Sequence, residues 1–125
     1  MKRYMIVITF LAVALTTQRC AKQKGEILSP YVKADGYLAN QLAVDGCGWH
    51  IRLDLKDESI MLAPNDESLQ KIDQFVAKNG EFKNGLYSQK VEILYQTTGN
   101  KRKVTCGWGK QPEFDEIEIS ELSAR

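Results

Sequence analysis

Three cysteines, one histidine and a scatter of carboxylates are the residues of this chain best able to do chemistry, and their spacing limits what that chemistry is. Cys20, Cys47 and Cys106 lie far apart, with no Cys-x-x-Cys pair to chelate a metal or form a redox dithiol, and neither Cys47 nor Cys106 has an adjacent basic residue to lower its pKa. His50 could join Cys47 as a zinc ligand, but the alternation of apolar and polar residues along Trp49–Lys56 puts it on the opposite strand face from Cys47. As a general base it would need a nucleophile beside it, and no nucleophile elbow accompanies it. Asp54 with Glu116 or Glu118 is the carboxylate pair a glycosidase would require, yet nothing in the spacing fixes their separation. The expectation is a chain without catalytic residues, metal or cofactor, whose Cys47 and Cys106 are structural.

Composition narrows the partners. Lys and Arg total 17 against 16 for Asp and Glu, a formal charge of +1, which argues against a protein built to grip nucleic-acid phosphates. Lys101-Arg102-Lys103, the dense basic run, lies beside a turn and reads as solvated charge, with the acidic stretch Glu113–Glu121 as its counterpart across a sheet. An anionic glycan or lipid head group is the alternative target. No glycine-rich phosphate loop of the Walker or dinucleotide type is present. With 26% charged and 43% hydrophobic residues, the chain reads as one globular domain.

The front of the chain reads as an address. Met1-Lys2-Arg3-Tyr4 precedes an uncharged, mainly apolar run from Met5 to Leu15, then Thr16-Thr17-Gln18-Arg19-Cys20, which is the layout of a signal peptide. As a helix the run would span about 16 Å, roughly half of a ~30 Å hydrocarbon core, so a permanent transmembrane span is not expected. Cys20 stands where bacterial lipoproteins carry their acylated cysteine, although Leu15 is five residues away rather than three and Arg19 replaces the usual small residue. Ala12-Val13-Ala14 is the competing cleavage site. Parity favours the lipid: an acylated Cys20 leaves Cys47 and Cys106 as one pair. The expected organisation is a signal peptide over 1–19, a tether over 20–33 and a folded domain over 34–125. Removing Lys2, Arg3 and Arg19 with the leader leaves the mature chain slightly acidic.

The elements that position these residues are set by periodicity. Cys47, Trp49, Ile51, Leu53 and Leu55 alternate with His50, Arg52, Asp54 and Lys56, predicting a strand with the odd positions in the core and the even ones in water. Val104, Cys106 and Trp108 likewise share a face and are expected inside, so a Cys47–Cys106 bridge across a barrel interior would stabilise the fold by about 4 kcal/mol. The glycine after each cysteine is expected to permit close strand approach, with the tryptophan packed over the bridge. Gly36–Val44 and Ser59–Ala63 read as flanking strands. Leu69, Ile72, Phe75 and Val76 recur at helical spacing, behind an Asn65 or Asp66 cap and ahead of Asn79-Gly80. Val91–Gln96 is a fourth strand, Thr97-Thr98-Gly99-Asn100 a hairpin turn, Lys101–Trp108 a fifth strand, and Phe114–Leu122 a sixth or the true fifth. The fold class expected is mainly β with one helix: an OB-like barrel of five or six strands with the helix between strands three and four. A cystatin-like or open α+β sheet is the alternative.

Gly46-Cys47-Gly48-Trp49, the Pro64-Asn65 helix start with Phe75, Val91-Glu92-Ile93-Leu94-Tyr95, Cys106-Gly107-Trp108 and Ile117-Glu118-Ile119 together resemble the small, exported, two-cysteine β-barrel lipoproteins of bacteria, most without assigned function. The resemblance covers Gly36–Leu122 and implies export and a barrel. It transfers no catalytic residue. With the leader-like start, it makes the expected protein an envelope-anchored or secreted binding module, held to the membrane through Cys20, with an envelope protein or glycan as partner and no nucleic acid. Phe82, Leu86 and Tyr87, in the glycine- and asparagine-punctuated loop Gly80–Lys90, are the expected contact residues, with a lid over the barrel as their other reading. An inhibitor that plugs an envelope hydrolase with this loop is the alternative function.

Overall fold

The computed structural model describes residues 29–125, so the leader and Cys20 lie outside the described residues. Five strands, β1 (Val32–Asn40), β2 (His50–Asp54), β3 (Ser59–Pro64), β4 (Tyr87–Lys103) and β5 (Glu113–Ala124), close into a barrel in the order β1-β2-β3-β5-β4. The helix α1 (Asp66–Lys78) lies between β3 and β4. All pairs are antiparallel except β3 with β5. This is the OB-like barrel expected, with five strands. Because the sheet closes on itself, every strand has two neighbours.

Alternation sets the inner face. Leu38 pairs with Ile51 and Ile51 with Leu62, a row of three buried side chains across β1, β2 and β3. Val91 and Ile93 from β4 and Ile117 and Ile119 from β5 complete the lining. Full burial of each is worth roughly 1.5–3 kcal/mol against exposure. The helix starts where Asn65 Oδ1 accepts the Ser68 N–H at 2.9 Å, with Asp66 and Glu67 in the first turn and Lys78 in the last to complement the macrodipole. Its apolar stripe plugs the barrel through Ile72 and Phe75. Polar contacts fix it to β5: the Ile119 N–H donates to Ser68 Oγ at 2.7 Å, and Lys71 Nζ donates to the Ile119 carbonyl at 2.7 Å and to the Ser120 carbonyl at 3.3 Å.

Three sequence expectations are corrected. Thr97-Thr98-Gly99-Asn100 is not a hairpin turn: β4 runs unbroken through it, and Gly99 with φ 82° sits in a bulge where the register against β5 shifts between Thr97 and Lys101. The supposed fifth strand is therefore the end of β4 plus a loop, and the sequence's sixth candidate is β5. The first strand begins earlier than read, at Val32 inside the stretch assigned to the tether. It stops at Asn40, because Leu42–Val44 form a 3-10 turn closed by Asp45 in the left-handed region. Leu55 falls beyond the end of β2 and is half exposed rather than in the core.

Candidate functional site

The β1–β2 loop (residues 41–49) and the β4–β5 loop (residues 104–112) are tied together. Cys47 and Cys106 form a disulfide with an S–S distance of 2.01 Å. On either side of it the Gly48 N–H donates to the Thr105 carbonyl at 2.9 Å and the Gly107 N–H to the Gly46 carbonyl at 3.0 Å. The β4–β5 loop is itself a short hairpin, with the Val104 N–H on the Pro112 carbonyl and the Cys106 N–H on the Lys110 carbonyl. Gly107 crosses the backbone of Asp45 so closely that a Cβ there would stand 2.3 Å from the Asp45 Cα, so no larger residue fits. Gly48 is different: its Cβ would meet only the Thr105 carbonyl at 3.5 Å, an ordinary contact. Close approach after a cysteine is thus required at Gly107 alone. The bridge is compatible with an extracytoplasmic location.

The stapled loops cover part of the barrel's outside. Ala39 pairs with His50, and Ala63 lies one step beyond the Ile51–Leu62 pair, so these three point outward in one row across β1, β2 and β3. They are nevertheless 2%, 1% and 0% exposed. Ala63 packs with Val104, Cys106, Cys47 and Phe114 in a small second core. Phe114, not a tryptophan, supplies the aromatic ring of that cluster. In OB barrels this face of strands two and three, between these two loops, is the usual bed for oligonucleotides and oligosaccharides. Here the upper part of it is filled by the protein's own loops.

His50 is the clearest departure from the alternation. The sequence expects it on a solvated face; it does point outward, but the stapled loops bury it. The Gly48 carbonyl, 2.7 Å from Nδ1, can only accept, so Nδ1 carries the proton. Burial holds its pKa below the ordinary 6.5, with a smaller push from Arg52 opposing the lift from Gly48. Below the cover, Arg52 lies 4.7 Å over the Tyr37 ring and pairs with Asp54 at 3.1 Å. Asp54 also accepts from Ser59 Oγ at 2.7 Å, the main reason its pKa is lowered.

Two of the carboxylates that the sequence offers as a hydrolase pair are hydrogen-bonded to neighbouring strands and turns. Asp54 serves Arg52 and Ser59, while Glu116 serves Arg102 and Thr98. The basic run meets acids as expected: Lys101 pairs with Asp115, and Arg102 with Asp66 at 2.6 Å and Glu116 at 3.4 Å. Among the described residues no trio of His, Cys, Asp or Glu is grouped as a metal site would require, and no helix is long and apolar enough to cross a membrane.

The third loop, α1–β4, joins the other two. Lys83 and Leu86 exchange both backbone hydrogen bonds around a tight turn, and a Cβ on Gly85 would stand 2.9 Å from Ala43 Cβ in the 3-10 turn. Of the three residues expected to bind, Phe82 is half exposed and Leu86 partly buried, but Tyr87 opens β4 in the core. Tyr87 Oη donates to the Asn79 carbonyl at 2.5 Å, and burial raises its pKa. Its ring and that of Phe82 pack edge-on against Trp49, at 5.3 and 5.8 Å between centroids. Tyr87 is therefore a framework residue, and the loop is shorter and more fixed than its composition suggests.

Alternation alone puts Trp108 in the core and Leu42 and Val44 in a strand. All three are exposed instead, Trp108 by 87% at the tip of the β4–β5 hairpin. The two 3-10 turns that carry them pack on one another. Glycines on both sides of Trp108 are the available signal of a turn. The end of the barrel where these loops meet thus displays Leu42, Val44, Phe82 and Trp108 on a cross-linked base. A scan against protein-family models and searches of curated proteins and of solved structures found no match to the chain.

Proposed function

We propose that the chain is an exported, envelope-associated interaction module without catalytic activity, and that its partner contacts the braced loop end of the barrel. The observation that carries this reading is the display of Leu42, Val44, Phe82 and Trp108 on loops held by a disulfide and by backbone hydrogen bonds. Large apolar side chains left in water on braced loops mark interaction surfaces. Export is supported by the leader-like start, by the disulfide and by the likeness to small two-cysteine envelope lipoproteins, with Cys20 as the lipid-bearing residue. A second reading, inhibition of an envelope hydrolase, moves the plug from the Gly80–Lys90 loop expected from the sequence to the β4–β5 hairpin, whose tip carries exposed Trp108.

Mass spectrometry of the membrane-extracted protein tests the export half: an N-terminal, acylated Cys20 supports it, and a chain that retains its leader in the cytoplasm overturns it. Co-purification from envelope extract tests the other half. Recovery of a defined protein supports an interaction module, and loss of that protein's hydrolase activity on binding selects the inhibitor.

A further inference from the structure

Asn79-Gly80 and Asn84-Gly85 both lie in the α1–β4 loop, and the structure holds the two pairs in opposite ways. An asparagine followed by glycine is able to cyclise, because the next amide nitrogen has no side chain beside it to obstruct its approach to the asparagine Cγ. The five-membered ring that results eclipses that nitrogen with Cβ, which fixes ψ near −120°, about the value of the first central residue of a type II′ turn. Asn79 is held far from it, capping α1 at φ −130° and ψ 74°. Its N–H and Nδ2 both donate to the Phe75 carbonyl, at 2.8 and 3.2 Å, and its own carbonyl accepts from the hydroxyl of buried Tyr87 at 2.5 Å. Turning ψ to the closing angle would swing that carbonyl away from Tyr87 and pull Nδ2 from Phe75.

Asn84 and Gly85 are the exposed central residues of the turn that Lys83 and Leu86 close with both backbone hydrogen bonds. Their φ values, 53° and 76°, are those of a type I′ turn. Among the described residues no hydrogen bond engages the Asn84 side chain or the Gly85 N–H. Closure then needs only a flip of the peptide plane between them: φ of Asn84 stays positive, its ψ goes to about −120° and φ of Gly85 crosses to about −80°, which converts type I′ to type II′. Glycine makes that crossing freely, and the pairing of Lys83 with Leu86 is common to both turns. From this geometry we infer that Asn84 is a self-modification site, converted through a succinimide to an aspartyl or isoaspartyl residue while the barrel stays folded, and that Asn79 is protected. The Gly85 nitrogen, its proton lost to solvent base, bonds to Asn84 Cγ; the Cγ–Nδ2 bond breaks and the nitrogen leaves as ammonia. Water then opens the ring at either carbonyl, so one water is consumed, one ammonia is released and nothing is oxidised or reduced. The product adds a carboxylate, and in the isoaspartyl form one more backbone carbon, to the loop that carries Phe82 and abuts Ala43. The inference is independent of the interaction-module reading.

The test incubates the full chain, expressed with its leader and purified folded, at neutral pH in heavy-oxygen water, beside the same chain unfolded in guanidinium with its disulfide intact. Peptide mapping by mass spectrometry follows the exchange of NH2 for labelled OH at positions 79 and 84, and fragmentation separates isoaspartyl from aspartyl product. The unfolded chain is expected to react at both positions at similar rates, which sets the intrinsic speed of the two pairs. In the folded chain position 84 is expected to react within ~10-fold of that speed, and position 79 at least ~10-fold more slowly than position 84, since three hydrogen bonds must open there first. A folded chain that reacts at position 84 more than ~10-fold below the unfolded speed overturns the inference, because the turn then has to unfold before it can cyclise. Reaction at position 79 within ~10-fold of position 84 in the folded chain overturns the protection of Asn79. Product at position 84 without any isoaspartyl form overturns the succinimide.

Discussion

Removing the staple by Cys47→Ala with Cys106→Ala is expected to lower stability by about 4 kcal/mol. The bridge spans a sequence separation of 59 residues. The chain-entropy relation assigns a loop of that length roughly 14 cal/mol/K, which is about 4 kcal/mol at 25 °C. Native contacts on either side survive the change, because Gly48 with Thr105 and Gly107 with Gly46 are backbone hydrogen bonds independent of sulfur. The folded state should therefore persist and the loss should come mainly from a freer unfolded chain. Since a domain of this size has only about 5–15 kcal/mol in all, the loss is a large share of it. Urea unfolding followed by tryptophan fluorescence measures it, at m-values of about 1–3 kcal/mol/M that let the midpoint fall by more than ~1 M. The variant should also have a slightly larger m, because the unlinked unfolded state exposes more surface. A loss under about 1 kcal/mol, or cysteines of the wild type that alkylate without denaturation, would refute the reasoning.

Three further outcomes rest on the same contacts. Because folding lowers the pKa of His50, the unfolded chain binds its proton more readily, and stability should fall as pH drops below 6.5, by at most about 1.4 kcal/mol per pH unit; above 6.5 it should not change on this account. His50→Asn, which can still donate to Gly48, should flatten urea midpoints between about pH 7 and pH 5, and a slope equal to that of wild type would contradict the buried neutral ring. Tyr87→Ala should cost about 3–5 kcal/mol as a buried aromatic, while half-exposed Phe82→Ala should cost about 1; similar losses in thermal melts would mean that the two share one environment. Gly107→Ala should destabilise by about 3 kcal/mol or more because its Cβ meets the Asp45 backbone, whereas Gly48→Ala should stay within about 1 kcal/mol, and chemical denaturation of the pair separates the two.

How far the sequence reached depended on whether the deciding contact was local. The face of β2 carrying Ile51 and Leu53, the Asn65 cap and the Ile72–Phe75 stripe are short-range patterns, and they are legible. The element order, with one helix between the third and fourth strands, comes from them. Gly99-Asn100 misleads because a glycine with positive φ serves a bulge as well as a turn, and only the pairing of β4 with β5 on both sides of it distinguishes them. His50 and Trp108 fail for the same reason in opposite directions. Alternation gives His50 its correct face, but a hairpin more than fifty residues later covers that face. Alternation through Val104 and Cys106 stops at Gly107, where contact with Asp45 in another loop turns the chain and sends Trp108 outward. Of the candidate site, Phe82 is found from its loop, while Leu42 and Val44 are hidden in what reads as the end of a strand.

The central claim is that the braced loop end is the surface a partner uses. Paired capture from envelope extract, with the full wild-type chain against Leu42→Ser with Val44→Ser, tests it most directly, since both side chains are half exposed and their loss should cost about 1 kcal/mol each and leave the domain folded. The predicted result is an envelope protein retained by wild type and lost from the variant. Equal retention by the two chains, or retention of no protein by wild type, would contradict it.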